Sequence, residues 1–327
     1  MNLDLSFHLD AGLGSKPALD PDALHDVLVV GAGPAGLNAA MYAARKGLDV
    51  AVLGKRKGGQ VLDTSAVDNY LGLDGVDGEG LAERFLKHLS KYSVPVLDGA
   101  EVVDVFSQGP VHSVVLSTGE SYRARALIVA TGSTPRRLGI PGEDRFAGKG
   151  VGYCAICDGP LFAGKDVFVA GGGNSAVQAA LDLAQMSRAV TVVHRSRLRA
   201  DQVLVDRLLS HSRIAVLLGT RIVEVTGQAA MDGLVVEDAA TGARRALPGD
   251  GLFVEIGHLP NVGPFAKRLV LSEHGEIVAD ARGATSVPGI FAAGDVTDFP
   301  YKQIVIAVGS GATAALSANE YIARTAF

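Results

Sequence analysis

A chain of 327 residues is long enough for about two domains of ordinary size, each with its own apolar core. Hydrophobic residues make up 48% and charged residues 20% of the chain, which excludes disorder across the whole sequence. The net charge is −5, whereas nucleic-acid-binding proteins usually carry a basic surface, so the charge gives no indication of nucleic-acid binding. Although the mean hydropathy is +0.26, Gly, Pro and Asn interrupt the apolar segments, so no membrane span is expected.

Residues 1–25 predict a tail rather than a folded element. Gly, Pro and Asp are scattered through this segment without apolar periodicity. It also lacks the basic start and the apolar centre of a secretory signal peptide. We therefore expect an N-terminal tail over 1–25 and a cytoplasmic protein.

The first β-α-β unit starts with a short apolar strand that runs into glycines and an alanine-rich helix. In this context Gly31-x-Gly33-x-x-Gly36 predicts a dinucleotide-binding turn. Gly31 allows the tight turn, Gly33 admits a pyrophosphate, and Gly36 lets the helix lie close to the strand. A second strand at 49–53 completes the unit, but Gly54 follows it where an acidic ribose ligand is usual.

Further strands are expected after each of two β-α-β units. In the first half they are predicted at 101–105, 113–117 and 127–130, with a hairpin turn at 117–120. In the second half they are predicted at 214–218, 221–225 and 234–237, with a turn at 241–243. Each half would thus carry a small group of antiparallel strands, here called an antiparallel excursion, after its β-α-β unit. A strand at 289–293 and a Gly/Ala-rich helix from about 305 to 323 close the chain.

The chain contains two cysteines, Cys154 and Cys157, which are separated by two residues and followed by Asp158. One Cys-x-x-Cys is half of a zinc ribbon, and no second Cys or His pair follows at ribbon spacing. Scattered histidines show no ligand spacing, so no metal site is predicted. Two thiols at this spacing favour redox chemistry, with Asp158 as general acid or base. A structural disulfide and a pair of buried small side chains are the alternatives.

A second strand–glycine–helix turn lies 140 residues after the first, with the pattern Gly171-x-Gly173-x-x-Ala176. The strand that follows, at 189–193, runs into a basic segment that includes Arg195 and Arg199. Guanidinium groups suit a 2′-phosphate, whereas a carboxylate would bind a 2′-hydroxyl. The segment therefore favours NADP(H) over NAD(H), the alternative being a solvated basic face.

Two dinucleotide-binding units suggest two dinucleotides, and FAD is the natural second one. Ala130-Thr131-Gly132 ends one apolar strand, and Gly294-Asp295 ends another. A carboxylate at Asp295 could accept a hydrogen bond from a ribityl hydroxyl. The N-terminus of the helix after Gln303 could stabilise negative charge on a reduced flavin.

In this order the motifs resemble those of low-molecular-weight thioredoxin reductases, from about residue 26 to residue 325. Segments 58–64, 157–162, 171–175, 200–204 and 300–304 are most similar to the reductase part of the alkyl hydroperoxide reductase flavoprotein subunit. The resemblance implies an α/β fold of two Rossmann-like dinucleotide-binding domains (three-layer ββα), the second inserted in the first. The FAD domain would span 26–147 and 251–327, and the NADP(H) domain 148–250.

The resemblance also implies the residues of three sites. The FAD-binding residues would be Gly31, Gly33, Pro34, Ala35, Gly36, Gly59, Gln60, Asn69, Ala130, Thr131, Gly132, Gly294, Asp295, Gln303 and Ile304. The NADP(H)-binding residues would be Gly171, Gly173, Asn174, Ser175, His194, Arg195 and Arg199. The catalytic residues would be Cys154, Cys157 and Asp158.

The implied activity passes electrons from NADPH through FAD to the Cys154–Cys157 disulfide and on to thioredoxin. Cys157 would lie nearer the flavin, whereas Cys154 would attack the thioredoxin disulfide and Cys157 would resolve the mixed disulfide. Asp158 would carry protons. The inserted domain would rotate between two states, and the protein would be a homodimer.

Three departures keep other functions open. The flavoprotein subunit carries an N-terminal module with its own Cys-x-x-Cys, which has no counterpart in this sequence. Ser196 replaces an expected arginine, and Gln178 replaces the family's usual glutamate. The alternatives are an NAD(P)H reductase of a separate peroxiredoxin-linked, thioredoxin-like carrier and a flavin disulfide oxidoreductase with a donor such as ferredoxin. A flavin-binding structural or sensor protein is the non-enzymatic alternative.

Overall fold

The computed structural model describes residues 19–64, 67, 69–73 and 75–326, so most of the expected tail lies outside the described residues. The expected end of the tail at residue 25 is too late, because Leu24 and His25 belong to the first strand. The strands are Leu24–Val30 (β1), Val50–Gly54 (β2), Val96–Asp98 (β3), Val102–Gln108 (β4), Val111–Leu116 (β5), Ser121–Val129 (β6), Ser133–Pro135 (β7), Val151–Gly152 (β8), Asp166–Ala170 (β9), Ala189–His194 (β10), Ile214–Leu218 (β11), Thr220–Gly227 (β12), Met231–Asp238 (β13), Arg244–Pro248 (β14), Gly251–Val254 (β15), His258–Pro260 (β16) and Ile290–Ala292 (β17). The α-helices are Pro34–Arg45 (α1), Gly78–Leu89 (α2), Ala155–Asp158 (α3), Asn174–Met186 (α4), Gln202–Ser210 (α5) and Ile304–Arg324 (α6).

The described residues form two compact units, and both are discontinuous in sequence. The first unit takes its described residues from Met1–Val61, Ala82–Gly132 and Pro260–Phe327. The second unit takes its described residues from Leu62–Leu81 and Ser133–Leu259. Each unit contains its own sheet and its own apolar core; the sheet of the first unit is mixed and that of the second is parallel.

The first unit is built on a seven-stranded sheet in the order β3-β2-β1-β6-β5-β4, with β17 also paired to β6. Strand β1 pairs in parallel with both β2 and β6. Its residues 27–30 are buried, because elements cover both faces of the sheet. The predicted hairpin at 117–120 is confirmed, since it joins the antiparallel strands β5 and β6.

Helices α1 and α6 pack closely in the first unit because small residues line their contact. A Cβ atom on Gly311 would lie only 2.1 Å from the carbonyl oxygen of Ala35. The Asn38 side-chain amide donates a hydrogen bond of 2.7 Å to the Val308 carbonyl across the same contact. Ala314 and nearby alanines of both helices are buried in one core. This packing holds α6 against the helix that the first glycine turn opens.

The second unit is built on a five-stranded parallel sheet in the order β11-β10-β9-β15-β8. The prediction that 214–218 belongs to an antiparallel excursion is wrong, because this segment is β11 and pairs in parallel with β10. The unpredicted helix α5 supplies the crossover that parallel pairing requires. The antiparallel part is the separate sheet β12-β13-β14. Strand β14 was not predicted, because four of its five residues are exposed and no apolar alternation marks it.

Both units place a strand–turn–helix segment on a strand that has a parallel neighbour on each side. Strand β1 lies between β2 and β6, and strand β9 lies between β10 and β15. At each of these positions the strand order reverses, which is where open α/β sheets bind ligands. The predicted α/β class with Rossmann-like elements is therefore confirmed. Among the described residues, no helix is both long and apolar enough to cross a membrane.

Candidate active site

The two cysteines form a disulfide at the first turn of α3. Their Cα atoms are 5.3 Å apart, and the Cys157 amide donates a hydrogen bond of 3.2 Å to Cys154 Sγ. Both residues are partly accessible to solvent, whereas Ala155 between them is buried. This finding replaces the alternative of two separate buried thiols with a bonded pair. Partial exposure gives the disulfide the access that exchange with another protein requires.

Asp158 is the last residue of α3 and directly follows the second cysteine. Burial raises the pKa of its carboxyl group above the ordinary value. Its Oδ2 atom lies beside Gly152, where an added Cβ would be only 3.0 Å away. A carboxyl that keeps its proton to higher pH beside a disulfide is suited to protonating a leaving sulfur.

Glu255 is a site residue that sequence reasoning missed. Its Oε1 accepts a hydrogen bond of 3.3 Å from the Ala155 amide, and its Oε2 accepts one of 2.5 Å from the Ser175 hydroxyl. Burial raises the pKa of Glu255, and these two hydrogen bonds oppose that rise. Its place directly after the buried strand β15 was the one signal in the sequence, because strand ends in parallel sheets carry binding residues.

The second glycine turn has the close contacts that its pattern predicts. Gly171 has a φ of +150°, and a Cβ there would lie 2.6 Å from Ala176 Cβ. Among the described residues, no atom lies within 4 Å of a Cβ placed on Gly173, so a phosphate group has room beside the backbone. Asn174 exchanges two hydrogen bonds with Asp201, at 2.8 and 3.0 Å, which ties the start of α4 to the start of α5.

The basic segment after β10 lies beside this turn. The Arg199 amide donates a hydrogen bond of 2.7 Å to the Gly172 carbonyl. Burial, then the charges of Arg199 and Arg195, lower the pKa of His194, which is 8% exposed. Within the described part of the chain, the guanidinium groups of Arg195, Arg197 and Arg199 make no ion pair, which leaves them open to a phosphate.

The first glycine turn is even more tightly packed. A Cβ on Gly31, where φ is +120°, would lie 2.1 Å from the Ala130 carbonyl oxygen. A Cβ on Gly36 would lie 1.9 Å from the Gly31 carbonyl oxygen. In contrast, the nearest described atom to a Cβ on Gly33 is the Cα of Gly59, at 3.9 Å. The first and third glycines therefore close the strand–helix contact, and the second leaves room for a pyrophosphate.

The structure also explains the missing acidic residue after the second strand. Gly54 ends β2, and a Cβ at this position would lie 2.3 Å from the Cβ of Ala32. A side chain cannot enter this contact unless the glycine turn moves. A ribose partner would therefore come from another position. Two nearby acidic residues, Asp98 at the end of β3 and Glu101 just before β4, already accept hydrogen bonds from the Lys57 amide and the Lys55 ammonium.

Several polar groups in the first unit fit the predicted FAD. The hydroxyl oxygen of Thr131 is buried and has no hydrogen-bond partner among the described residues, as expected for a group that faces a ligand. Burial raises the pKa of Asp295, and the charge of Lys302 opposes that rise. Ser310 accepts a hydrogen bond of 2.9 Å from the Gly294 amide. The side chain of Gln303 precedes α6 without capping it, which leaves the amides of the first turn to another acceptor.

The structure distributes the predicted site residues between the two units. The first unit contains Gly31, Gly33, Pro34, Ala35, Gly36, Gly59, Gln60, Ala130, Thr131, Gly132, Gly294, Asp295, Gln303 and Ile304. The second unit contains Asn69, Cys154, Cys157, Asp158, Gly171, Gly173, Asn174, Ser175, His194, Arg195 and Arg199. The disulfide and the second glycine turn therefore share one unit, where Glu255 connects them.

Two dinucleotide turns and a Cys-x-x-Cys disulfide define a dinucleotide-dependent disulfide oxidoreductase. Comparison with known families agrees, because residues 25–314 match the family described as pyridine nucleotide-disulphide oxidoreductase. The chain belongs to this family. The members of the family use FAD and a pyridine nucleotide, for which the two turns described above have room.

The individual relatives of the chain include two kinds of reductase. An alkyl hydroperoxide reductase subunit of Pseudomonas putida is 45% identical over 323 residues, which are 97% of this chain and 62% of that protein. The chain thus spans less than two thirds of the length of the curated relatives it matches. The thioredoxin reductase structure from Streptococcus pyogenes MGAS5005 has a TM-score of 0.88 and 36% identity, covering 93% of this chain and 99% of that chain.

The thioredoxin reductase structure from Giardia duodenalis is similar to the same extent. Its TM-score is 0.86 with 32% identity, covering 91% of this chain and 99% of that chain. The resemblance to low-molecular-weight thioredoxin reductases is thereby confirmed, together with the fold class of two dinucleotide-binding domains. The chain is therefore similar both to thioredoxin reductases and to alkyl hydroperoxide reductase subunits.

Proposed function

We propose that the chain is an NADPH-dependent thioredoxin-disulfide reductase. The observation that carries this proposal is the partly accessible Cys154–Cys157 disulfide, with Asp158 beside it, in the same unit as an open nucleotide turn. When bound, FAD would supply the two-electron relay between the nicotinamide and this disulfide. The basic segment beside Gly172, with its three exposed arginines, favours the 2′-phosphate of NADPH over the hydroxyl of NADH.

The chain's own residues divide the disulfide exchange between them. Once the disulfide is reduced, the Cys154 thiolate attacks one sulfur of the partner disulfide, and the partner's other sulfur leaves as a thiolate. Cys157 then attacks Cys154, which restores the internal disulfide and releases the partner as a dithiol. Asp158 holds a proton for the leaving sulfur, because burial raises its pKa.

The organisation that we propose for the whole protein follows the resemblance. An FAD domain would span 26–147 and 251–327, with an NADP(H) domain over 148–250 between these segments. The structure corrects the second boundary, because β15 (Gly251–Val254) pairs with β9 in the sheet of the second unit, so the return to the FAD domain would follow this strand. The two domains would rotate between two states, so that nicotinamide and cysteines reach the flavin in turn. We further propose a cytoplasmic homodimer.

A second candidate function has a specific observation in its favour. Relatives named as alkyl hydroperoxide reductase subunits reach 45% identity with this chain, whereas the thioredoxin reductase structure from Streptococcus pyogenes has 36%. The partner would then be a separate thioredoxin-like carrier linked to a peroxiredoxin. The further alternative, a donor other than nicotinamide, is disfavoured by the open second turn at Gly173.

Anaerobic stopped-flow mixing of the FAD-loaded protein with NADPH and, separately, with NADH tests the donor. Fast loss of flavin absorbance with NADPH and slow loss with NADH is expected. The opposite preference would support the second candidate, and no loss with either nucleotide would contradict both. Turnover with thioredoxin and with a peroxiredoxin-linked carrier then identifies the partner, with Cys157→Ser as the control that loses turnover but keeps its flavin.

A further inference from the structure

The Glu255 side chain contacts the first turns of two helices, α3 and α4. One carboxylate oxygen accepts the amide of Ala155, the residue directly after Cys154, and the other accepts the hydroxyl of Ser175. These donors lie 100 and 80 residues away in sequence, so only the folded unit brings them together. Among the described residues, no cation forms an ion pair with this carboxylate.

The backbone fixes where this carboxylate lies. Glu255 follows β15, which pairs in parallel with β9 up to Val254 and Ala170. A Cβ on Gly171 would lie 2.3 Å from the Glu255 carbonyl oxygen, so the residue is held against the second glycine turn. The Glu255 amide also donates a hydrogen bond of 2.8 Å to the Ala170 carbonyl. The side chain therefore reaches the Ala155 amide from the hydrogen-bonded end of a strand.

We propose that Glu255 is a positioning residue that joins the cysteine turn to the nucleotide-binding helix and holds negative charge beside the disulfide. This inference rests on the proposed function. Reduction adds two electrons, breaks the S–S bond and leaves either two thiols, with two protons taken up, or one thiol and one thiolate, with one. A fixed carboxylate next to Cys154 disfavours the thiolate, so the disulfide becomes harder to reduce and the reduced pair becomes a stronger reductant.

The reduction potential of the cysteine pair tests this inference. The FAD-loaded protein is equilibrated with dithiothreitol, which is oxidised to its cyclic disulfide, and the free thiols are counted by alkylation and mass. Glu255→Gln keeps the size of the side chain but removes its charge. We expect its equilibrium to shift about tenfold towards the reduced pair, which corresponds to about 30 mV.

Matched variants separate the effect of a charge beside the disulfide from the effect of the protein's net charge. Glu224→Gln removes the same charge from an exposed position of the same unit, and its potential should equal that of the unaltered protein. Glu255→Asp keeps the charge and should shift the equilibrium less than the glutamine variant. If the glutamine variant does not fold, Glu255→Ala is compared with Glu255→Asp in its place.

Equal potentials for the charged and uncharged variants would overturn the inference and leave the proposed function intact. The two failures are distinguishable, because a cysteine pair in the unaltered protein that dithiothreitol cannot cycle would instead contradict the proposed function. A shift of the expected sign that also appears in Glu224→Gln would show a net-charge effect and would likewise overturn the inference.

Discussion

At the scale of single residues, the second unit holds carboxyl groups near the disulfide whose burial favours the protonated form. Asp158 and Glu255 both have a raised pKa for this reason, and at Glu255 hydrogen bonds oppose the rise. A raised carboxyl pKa means that the folded state binds the proton more tightly than the unfolded chain does. Ionisation of these groups at neutral pH therefore opposes folding, which is typical of groups kept for chemistry.

The variant Asp158→Asn tests whether this carboxyl group supplies the proton in disulfide exchange. We expect disulfide reduction to slow by about 100-fold or more, because general acid catalysis contributes roughly 10²- to 10⁴-fold. The isosteric amide should not destabilise the fold, since it removes a charge whose burial is unfavourable. Single-turnover reduction of a partner disulfide measures the effect. Unchanged single-turnover rates would show that Asp158 carries no proton.

Tyr153 and Glu143 give a prediction for alkaline pH. Burial and the nearby Glu143 carboxylate raise the pKa of Tyr153 to about 12, and the hydroxyl donates to Glu143 over 3.1 Å. The stability that this neutral phenol contributes is complete below pH about 10 and is lost as the pH rises towards 12. In Glu143→Gln the tyrosinate absorbance should appear at lower pH.

Stability supplies a second measurement for the same variant. Glu143 is 2% exposed and also accepts hydrogen bonds from the amides of Leu138 and Gly139. The glutamine retains one acceptor oxygen, so we expect a loss of about 1–3 kcal/mol in unfolding free energy. An unaltered tyrosinate titration together with unaltered stability would contradict the role of this carboxylate.

At the scale of secondary-structure elements, the contact between α1 and α6 depends on one glycine. Gly311→Ala places a Cβ 2.1 Å from the Ala35 carbonyl oxygen, so the helices must separate. We expect a loss of about 1–3 kcal/mol in urea unfolding. Gly309→Ala is the control on the same helix, because no described atom lies within 4 Å of its Cβ, and it should gain about 0.5–1 kcal/mol. Equal effects of both substitutions would refute this contact.

The two open glycines give a matched test of the two nucleotide turns. Gly33 and Gly173 have extended backbones with negative φ, and their added Cβ atoms meet no described atom closer than 3.9 Å in either case. Alanine at either position should therefore leave the fold stable while it obstructs a phosphate. Gly33→Ala should weaken FAD retention, and Gly173→Ala should raise the KM for NADPH, each about tenfold or more. Interchanged effects would contradict the assignment of the two turns.

At the scale of the whole molecule, two units with separate cores should respond differently to their ligands. FAD present at about 1,000 times its Kd should stabilise the native protein by about 4 kcal/mol, because it binds the folded state alone. We expect removal of FAD to lower the urea midpoint of the first unit and titration with FAD to restore it. Fluorescence and circular dichroism can follow this, with the Gly33→Ala variant as the control that responds less. A midpoint independent of FAD would contradict an FAD site in this chain.

Local patterns in the sequence were sufficient to predict the elements whose conformation depends on residues close together in the chain. The turn at Gly31 and Gly33 was predictable, because a strand, a positive φ and a helix start lie within a few residues. The bonding of Cys154 to Cys157 also depends on local spacing, although the sequence left a reduced pair open. In contrast, the direction of β11 depended on α5, an amphipathic helix without a strong boundary signal.

The sequence by itself determined the class of fold, the two dinucleotide turns and the redox motif, since each is encoded by residues close together in the chain. Only the tertiary structure decided that Gly54 excludes a side chain, because Ala32 occupies that space. It alone brought Glu255 to both Ala155 and Ser175, which lie 100 and 80 residues away. Contacts at such separations depend on strand order, and strand order is a property of the folded sheet rather than of any local pattern.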